Sequence, residues 1–433
     1  LVRDRTAIGG LAWDSVAPTI EERSHAYRMT FPAQEHKIDG VGFDPDTRRS
    51  FRTRVDDDAG VVTVLRSKDR KDEPLPRGLT PRKPIEDWVK RDALLRFVRA
   101  YANGDGARYP AVTALLERRP PEARLDLDPV GAVLSLGASH LFVQGPPGSG
   151  KTWQGARMAI ALMREGKRVG VTSLSHKAIH NLLRAIQHEA DAQGFTFSGV
   201  KRARDEDESE TAFESRCVVS STEVDVCADP RYQLVAGTGW ALCREAVDIH
   251  AAARPIDVLF VDEAGQLSLA DVLAAGTAAR SLVLLGDPNQ LPQVSQGSHP
   301  EGSEGSVLQH SLEQHETVPP DRGLFLAETW RLRPELCAFT SDAYYEGRLG
   351  YAPDAARRSL EAGNGPAWIA ADHEHRGQAA TEEADAIAAA VRQLLGSSFT
   401  DERGNVRTLA KEDILVVAPY NAQVRRLRAG LPS

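Results

Sequence analysis

The sequence predicts an α/β protein, in which a parallel sheet covered by helices follows a small β-rich module. From Leu141 onward, short and almost wholly apolar stretches alternate with longer stretches of helical periodicity. Buried parallel strands have this pattern because helices cover both faces of their sheet. Residues 1–80 instead contain short alternating runs separated by Asp/Gly turns, which is typical of antiparallel strands. The two parts of the chain are therefore expected to fold differently.

Composition places the chain among soluble globular proteins. It has 433 residues, of which 41% are hydrophobic and 26% charged, enough for two or three domains. The sequence has no apolar run near the ~18 residues of a membrane span and no signal peptide at its start. A net charge of −8 argues against a protein that coats nucleic acid, although it permits a local positive groove. Four cysteines stand at no metal-ligand spacing, which predicts reduced thiols in a cytoplasmic protein.

The β-rich module is predicted at residues 1–80, with a barrel-like arrangement that includes strands at 51–55 and 61–65. Its basic residues leave two interpretations open, a solvated charged face and a patch that faces nucleic acid. These residues are Arg48, Arg49, Arg52, Arg54, Arg66, Lys68, Arg70 and Lys71. Residues 81–140 are predicted to form a linker and a helical segment, with a helix over 85–103 that Gly104 ends.

The first α/β domain is predicted at residues 141–323 and an incomplete second one at 324–433. The strands predicted for the first domain are 141–143, 169–172, 218–220, 258–261 and 282–285. The charge-dense stretch 199–210 is predicted to be a solvated surface segment, and 293–323 a polar loop. In the second domain, 414–417 is predicted as the last strand of this sequence.

A phosphate-binding motif follows the first strand of the sheet. Residues 145–152 read GPPGSGKT and fit G-x-x-x-x-G-K-[ST], in which glycines let backbone N–H groups surround a phosphate. Lys151 is predicted to reach the β/γ-phosphates and act in catalysis, and Thr152 to supply a hydroxyl to Mg²⁺. The helix that begins at Trp153 directs its positive end at the same anion. The predicted nucleotide-binding residues are Gly145, Pro146, Pro147, Gly148, Ser149, Gly150, Lys151, Thr152 and Trp153.

Two acids and two further polar residues complete the predicted catalytic set. Asp262 and Glu263 follow the strand 258–261, so Asp262 is predicted to hold Mg²⁺ and Glu263 to deprotonate the attacking water. Gln290, after the strand 282–285, is predicted to sense the γ-phosphate; a turn built on Asp287 and Pro288 is the alternative. Arg331 is a candidate arginine finger, with a surface arginine before a proline turn as the alternative.

Five motifs occur in order in this chain: GPPGSGKT, DEAGQ, GDPNQLP, TWRLRPEL and APYNAQ. Over about residues 141–428 the chain thereby resembles the superfamily 1 helicases of the up-frameshift and immunoglobulin-mu-binding group. The resemblance implies two RecA-like domains with ATP between them, the second partial here, and a β-barrel accessory module ahead. It also implies Mg²⁺ as a cofactor and 5′-to-3′ translocation along single-stranded DNA or RNA.

The resemblance also implies which residues contact the nucleic-acid strand and which residue stacks on the adenine ring. Residues around the start of the helix after the second strand would contact the nucleic-acid backbone, with a helix cap as the alternative for Ser175. Trp330 would replace the tyrosine that stacks on adenine. The residues assigned to nucleic acid are Ser173, Ser175, His176, Lys177, Ser221, Thr222, Tyr420 and Asn421, and Gln423 belongs to the same element as the last two.

The chain departs from this family in two respects, the residues near 127–131 and the family's last motifs. Leu127-Asp128-Pro129-Val130-Gly131 stands where the family carries L-N-x-x-Q, so the glutamine that reads adenine is missing. The family's last motifs, including a second arginine, would lie beyond Ser433. The similar bacterial proteins carry a RecB-like nuclease domain upstream. The resemblance therefore implies a longer parent protein with a nuclease domain.

Two functions other than a motor have a basis in the sequence. A nucleotide-gated clamp that binds nucleic acid without unwinding it remains open, because the second domain is partial. A GTPase switch is excluded, because no Asn in the chain is followed by Lys and the guanine-reading N-K-x-D is absent.

Overall fold

A computed structural model of the chain describes residues 6–13, 15–21, 24–38, 40–57, 59–70, 73–81, 87–204, 208–290, 305–372, 377 and 379–431. The chain divides into two compact units, Leu1–Trp88 and Val89–Ser433.

The first unit is an antiparallel β module. Its strands are β1 (Ile8–Gly9), β2 (Ala12–Trp13), β3 (Thr19–Glu21), β4 (Ser24–Thr30), β5 (Val41–Asp44), β6 (Arg49–Asp56), β7 (Val61–Ser67) and β8 (Gly78–Leu79). The sheet has the order β2-β4-β7-β6-β5, with β3 on β4. Phe43 of β5 exchanges backbone hydrogen bonds of 2.7 Å with Thr80, and β8 pairs with β1, which lies just ahead of β2. β1-β8 and β2-β4-β7-β6-β5 remain separate sheets. The predicted β-rich module is present, and its barrel-like arrangement stays a prediction.

The alternation of β6 and β7 explains the core of this module and the distribution of its charges. Phe51, Val62 and Val64 point into the core, whereas Arg52 and Arg54 on the same strands face solvent. Arg54 pairs with Glu21, so part of the basic surface is neutralised by the module itself.

The second unit contains a parallel sheet that has eight strands within the described residues. They are β9 (His140–Gln144), β10 (Val169–Thr172), β11 (Gly199–Arg202), β12 (Val218–Ser221), β13 (Leu234–Ala236), β14 (Ile256–Val261), β15 (Ala279–Gly286) and β16 (Gly323–Phe325). Their order is β12-β11-β13-β10-β14-β15-β9-β16. The predicted α/β class and all the strands predicted for the first domain are confirmed. The predicted domain boundary at 323/324 falls inside β16, which pairs with β9.

Helices cover both faces of this sheet. They are α1 (Trp88–Ala102), α2 (Pro110–Leu116), α3 (Pro129–Leu134), α4 (Lys151–Arg164), α5 (His176–Ala192), α6 (Glu208–Thr211), α7 (Gly239–Leu242), α8 (Leu269–Gly276) and α9 (Val307–Leu312). Successive residues of β14 enter opposite cores: Leu259 packs with α1, α2 and α8, and Phe260 with α3, α4 and α5. Phe97 and Leu115 from the segment predicted at 81–140 are part of the first of these cores.

Two surface predictions for this unit are wrong. Residues 199–202 form an inner strand of the sheet, and Lys201 on it is fully buried, so 199–210 is not a solvated segment throughout. The predicted loop 293–323 contains α9 and the start of β16, because Val307, Leu308 and Leu312 are apolar and buried against the sheet domain. Residues 293–304 of that loop lie outside the described residues.

The remaining elements are shorter. They are β17 (Glu328–Thr329), α10 (Pro334–Tyr344), β18 (Gly350–Tyr351), β19 (Ser359–Leu360), α11 (Thr381–Leu394), β20 (Ser398–Thr400), β21 (Val406–Thr408) and α12 (Asn421–Gly430). β17 and β18 form a parallel pair and β19-β20-β21 an antiparallel sheet.

The strand predicted at 414–417 is wrong. Leu415 is 87% and Val417 77% exposed, and no described strand pairs with this segment. An apolar run forms a strand only where a neighbour satisfies its backbone N–H and C=O groups, so its hydrophobicity alone was insufficient.

Among the described residues, no helix is long and apolar enough to cross a membrane. All four cysteines of the chain are free and buried.

Candidate functional site

The loop between β9 and α4 has the geometry of an anion cradle. Gly148 and Gly150 have φ angles of +76° and +79°, which L-residues with a side chain rarely adopt. Gly150 is the residue that precedes α4, so the first N–H groups of that helix face the loop. The hydroxyl of Ser149 is buried and has no hydrogen-bond partner within the described residues. The loop therefore has unsatisfied donors that an anion would satisfy.

The phosphate-binding lysine and the predicted catalytic base meet directly. Lys151 Nζ donates to Glu263 Oε1 at 3.1 Å, across the gap between α4 and the end of β14. In this structure each charge neutralises the other, and both groups lie at the mouth of the cradle.

Asp262, immediately after β14, is buried beside this pair. Its Oδ1 accepts from the N–H of Glu263 at 3.0 Å, and its own N–H donates to the carbonyl of Thr172 at 2.9 Å. Burial raises the pKa of Asp262 to about 6, although the Lys151 charge opposes this shift. A buried carboxylate of this kind is costly without a cation.

These residues fit Mg²⁺. The carboxylate of Asp262 and the hydroxyl of Thr152, the second residue of α4, are oxygen donors of the type that Mg²⁺ prefers. Two such protein ligands leave the other positions to phosphate oxygens and water, which is usual for this ion.

In the turn after β15, the side chain of Gln290 is hydrogen-bonded to a residue of the same turn. Gln290 Nε2 donates to Asp287 Oδ2 at 3.2 Å, and the N–H of Asn289 donates to Asp287 Oδ1 at 3.3 Å. The alternative of a turn built on Asp287 is thus present. The sensor role of Gln290 stays a prediction, and the following two residues of the motif lie outside the described residues.

The segment with the candidate finger packs on the phosphate loop. Thr329 Oγ1 donates to the carbonyl of Pro147 at 2.7 Å, and the N–H of Trp330 donates to the carbonyl of Gly148 at 2.9 Å. Arg331 follows with an exposed side chain, which takes part in no hydrogen bond or ion pair in the described part of the chain. The backbone N and Cβ of Arg331 therefore lie next to the cradle, and its guanidinium has no partner in the described residues.

Two tryptophans are exposed near this loop. Trp330 is 54% exposed, which leaves its ring free to stack on a base. Trp153 is 51% exposed, and the guanidinium of Arg157 lies 4.7 Å from its ring centroid. Their roles in nucleotide binding stay predictions.

The residues predicted to contact nucleic acid after β10 differ in their surroundings. The hydroxyl of Ser173 is buried without a partner in the described residues. Ser175 accepts from the N–H of Ala178 at 3.2 Å, so the helix-cap alternative is present. His176 Nδ1 lies 2.8 Å from Lys201 Nζ, while Lys177 is exposed.

Ser221 and Thr222 lie far from that segment within the sheet. Ser221 ends β12, the edge strand, and Thr222 follows it; β11 and β13 separate β12 from β10. The residue that follows the strand next to β10 is Gly237, whose N–H donates to the carbonyl of Val171 at 3.1 Å, and Thr238 comes after it. The sequence reasoning missed Thr238, although a Thr two residues after an apolar run was a usable signal.

In the segment 420–423, which is predicted to act on nucleic acid, one side chain is buried and another is partly exposed. Gln423 is buried between α11 and α12, where its amide exchanges hydrogen bonds of 2.8 and 3.1 Å with the backbone of Ala380. Tyr420 is partly exposed just before α12. The side chain of Asn421 lies outside the described residues.

In the segment upstream of the loop, Asp128 Oδ1 accepts from the N–H of Gly131 at 2.9 Å and thereby caps α3.

The chain is similar to AAA domains and to helicase/nuclease proteins. One AAA-domain family model matches residues 128–313, and a second matches 304–433. The DNA replication ATP-dependent helicase/nuclease JHS1 of Arabidopsis thaliana is 25% identical over 342 residues, which are 72% of this chain and 24% of that protein. The DNA replication ATP-dependent helicase/nuclease DNA2 of Xenopus laevis is 27% identical over 230 residues, 52% of this chain and 21% of that protein.

The chain thus spans about a quarter or less of the length of these relatives. Among solved structures, an arterivirus nonstructural protein 10 (helicase) in complex with DNA is similar at 13% identity and a TM-score of 0.37, over 77% of this chain and 59% of that one. Two successive AAA-domain matches, the first of which contains the complete phosphate loop, and relatives named as ATP-dependent helicase/nucleases make the chain similar to the helicase region of such proteins.

Proposed function

We propose that this chain is the motor region of an ATP-dependent helicase or translocase that moves along single-stranded nucleic acid. The observation that supports this most is the packing of the Thr329–Arg331 segment on the phosphate loop. It brings residues from before and after residue 323 to one nucleotide site. A nucleotide bound there would contact both parts and could change how they fit together.

Each residue of the site has a role in this proposal. Lys151 leaves Glu263 and binds the phosphates, which frees the Glu263 carboxylate to orient and deprotonate the attacking water. Thr152 and Asp262 hold Mg²⁺, which neutralises phosphate charge. Arg331 stabilises the charge on the transferred phosphoryl group from the opposite side.

The strand is proposed to bind along the carboxyl ends of the parallel strands, where Ser173, His176, Lys177 and Thr238 lie. DNA is the proposed track, because the relatives are named as DNA replication enzymes. A 5′-to-3′ polarity, membership of the up-frameshift and immunoglobulin-mu-binding branch and a longer parent protein with an upstream nuclease domain rest on the motif resemblance.

ATP turnover with and without single-stranded DNA tests the proposal. A motor hydrolyses ATP faster in the presence of the strand, measured in single-turnover and steady-state assays with Mg²⁺. Strand binding that depends on ATP, without strand-stimulated turnover, would instead identify the clamp. Failure to bind any strand offered, with or without ATP, would exclude both.

A further inference from the structure

Lys201 is a buried lysine whose three donors are all satisfied. It is fully buried on β11, where an unpaired ammonium would be very costly. Its Nζ donates to the carbonyl oxygens of Arg202 at 2.5 Å and Thr211 at 2.9 Å, and it lies 2.8 Å from His176 Nδ1. An ammonium has three N–H groups and no acceptor, so it can only donate to the histidine.

This contact selects one form of His176. Because Nδ1 accepts a hydrogen bond, the single proton of the neutral ring must be on Nε2. Burial, helped by the nearby Lys201, His180, Arg204 and Arg202, lowers the pKa of His176 to about 4. His176 is therefore a neutral Nε2–H donor at physiological pH, and Nε2 has no hydrogen-bond partner within the described residues.

The position of His176 places the Nε2–H donor where the nucleic-acid strand is proposed to bind. It is the first residue of α5, between the capping Ser175 and the exposed Lys177, at the carboxyl end of β10. Strand contacts are proposed along this edge of the sheet. Backbone phosphates accept hydrogen bonds from neutral donors as well as from cations.

We propose that Lys201 is a positioning residue that holds His176 as its Nε2–H tautomer, so that Nε2 donates to a phosphate of the bound strand. The inference rests on the proposed strand-binding function. It adds that this contact is neutral, in contrast to the charged contact from Lys177.

Two substitutions at His176 test the roles of its two ring nitrogens separately. The amide of His176→Asn can occupy the place of Nδ1 and accept from Lys201, but it has no group at the place of Nε2. The amide of His176→Gln reaches the place of Nε2. We expect His176→Asn to bind a labelled single-stranded oligonucleotide ~10-fold more weakly, as for a lost hydrogen bond to a charged acceptor. His176→Gln should lie closer to the wild type.

The salt dependence shows whether the contact is neutral. His176→Asn should keep the wild-type slope of log affinity against log salt, because no counterion is released by a neutral donor. Thermal unfolding of His176→Asn near the wild-type temperature would show that the binding loss is not misfolding.

Lys201→Met tests the positioning role, first through the His176 tautomer in the absence of a strand and then through strand affinity. It retains an apolar stem and removes the donor, so nitrogen NMR of selectively labelled histidine should show His176 change from one tautomer to a mixture, with a raised pKa. Strand affinity of Lys201→Met should then increase as pH falls from 7 to 5, and adding His176→Asn should abolish that increase.

The outcomes distinguish this inference from the function on which it rests. Failure of the wild-type chain to bind any single strand would overturn both. If Lys177→Ala weakens binding while His176→Asn does not, only the role of His176 is overturned. A single Nε2–H tautomer that persists in Lys201→Met would exclude Lys201 as its cause.

Discussion

Glu263 is held in an unusual backbone conformation. Its φ of +53° and ψ of +42° place it in the left-handed region, which is uncommon for a residue with a long side chain and costs about 1–2 kcal/mol. The strain directs the carboxylate back to Lys151. Such strain at the end of a buried strand is frequent in functional sites and agrees with the role proposed for Glu263.

Glu263→Gln should preserve ATP binding and slow hydrolysis by ~10² or more, because the amide keeps the shape of the side chain but cannot take a proton. Nucleotide titration and single-turnover hydrolysis measure the two effects separately. Glu165→Gln, an exposed acid just beyond the other end of α4, is the matched control and should behave as the wild type. A normal hydrolysis rate in Glu263→Gln would remove Glu263 from the mechanism.

Lys177→Ala should weaken strand binding and reduce its salt slope by about one, as expected for one lost phosphate contact. Lys167→Ala is the control, because Lys167 is equally exposed but precedes β10, whereas Lys177 follows it. Anisotropy titrations at several salt concentrations measure both slopes. Equal slopes in the two variants would make Lys177 an ordinary surface residue.

The buried His140 is expected to make the free energy of unfolding depend on pH. Burial lowers the pKa of His140 from 6.5 to about 4, so between these values the unfolded chain binds a proton that the folded chain does not. Stability therefore falls as pH decreases from 6.5 to 4, by about 3 kcal/mol from this group. His140→Leu should remove that part of the pH dependence in urea unfolding, with the exposed His188→Leu as the control for losing one histidine. An unchanged pH dependence would contradict the assigned cause.

Among the strands, hydrophobic pattern was sufficient where an apolar run lies within a strand of five or more residues. β9, β14 and β15 were predicted for this reason, and with them the meeting of Lys151 and Glu263 at one edge of the sheet. β11 was missed because its buried Lys201 is charged, and β13 because it has only three residues. Because β11 and β13 separate the strand of Ser221 from β10, the segment beside the end of β10 is Gly237-Thr238.

Other parts of the site depend on contacts that have no local signal. The bond from Gln290 to Asp287 and the packing of Thr329 on Pro147 join residues distant in sequence, and only the folded chain brings them together. The segment 414–417 shows the converse, since a strong strand pattern forms no strand without a neighbouring strand.

A substitution at Gly148 tests the packing of the Thr329–Arg331 segment on the phosphate loop. A Cβ at Gly148 would overlap the Cβ of Arg331 and lie 2.9 Å from Thr329 Oγ1. Gly150 has a similar positive φ, but a Cβ there would meet nothing within 4 Å. Both alanine variants carry the same backbone strain, and only Gly148→Ala displaces the segment.

We therefore expect Gly148→Ala to lower the maximal rate of ATP hydrolysis by ~10-fold or more relative to Gly150→Ala, because displacing Arg331 removes part of a contribution worth ~10³–10⁵ in other NTPases. Steady-state hydrolysis over a range of ATP concentrations separates this from weaker ATP binding. Equal maximal rates in the two variants would mean that the contact does not position Arg331.

A polar network connects the sheet domain to the helix that follows the candidate finger. Asp287 is buried after β15, and its Oδ2 accepts from both Gln290 Nε2 and the hydroxyl of Tyr345, the latter at 2.6 Å. Tyr345 directly follows α10, and Asn289 donates to the carbonyl of Tyr344 at 2.7 Å. If Gln290 turns towards a bound γ-phosphate, it leaves the carboxylate that also holds Tyr345.

Tyr345→Phe should therefore weaken the coupling between ATP and strand binding. Coupling is reciprocal, so the factor by which ATP tightens the strand equals the factor by which the strand tightens ATP. Both can be measured at equilibrium in the Glu263→Gln background, where hydrolysis is slow. The phenyl ring keeps the packing on Phe325, and loss of one hydrogen bond to a buried carboxylate should reduce the factor about fivefold or more. Tyr344→Phe, whose ring is half exposed, should leave the factor unchanged. Equal coupling in both variants would show that the nucleotide and strand sites communicate by a route other than the Tyr345–Asp287 hydrogen bond.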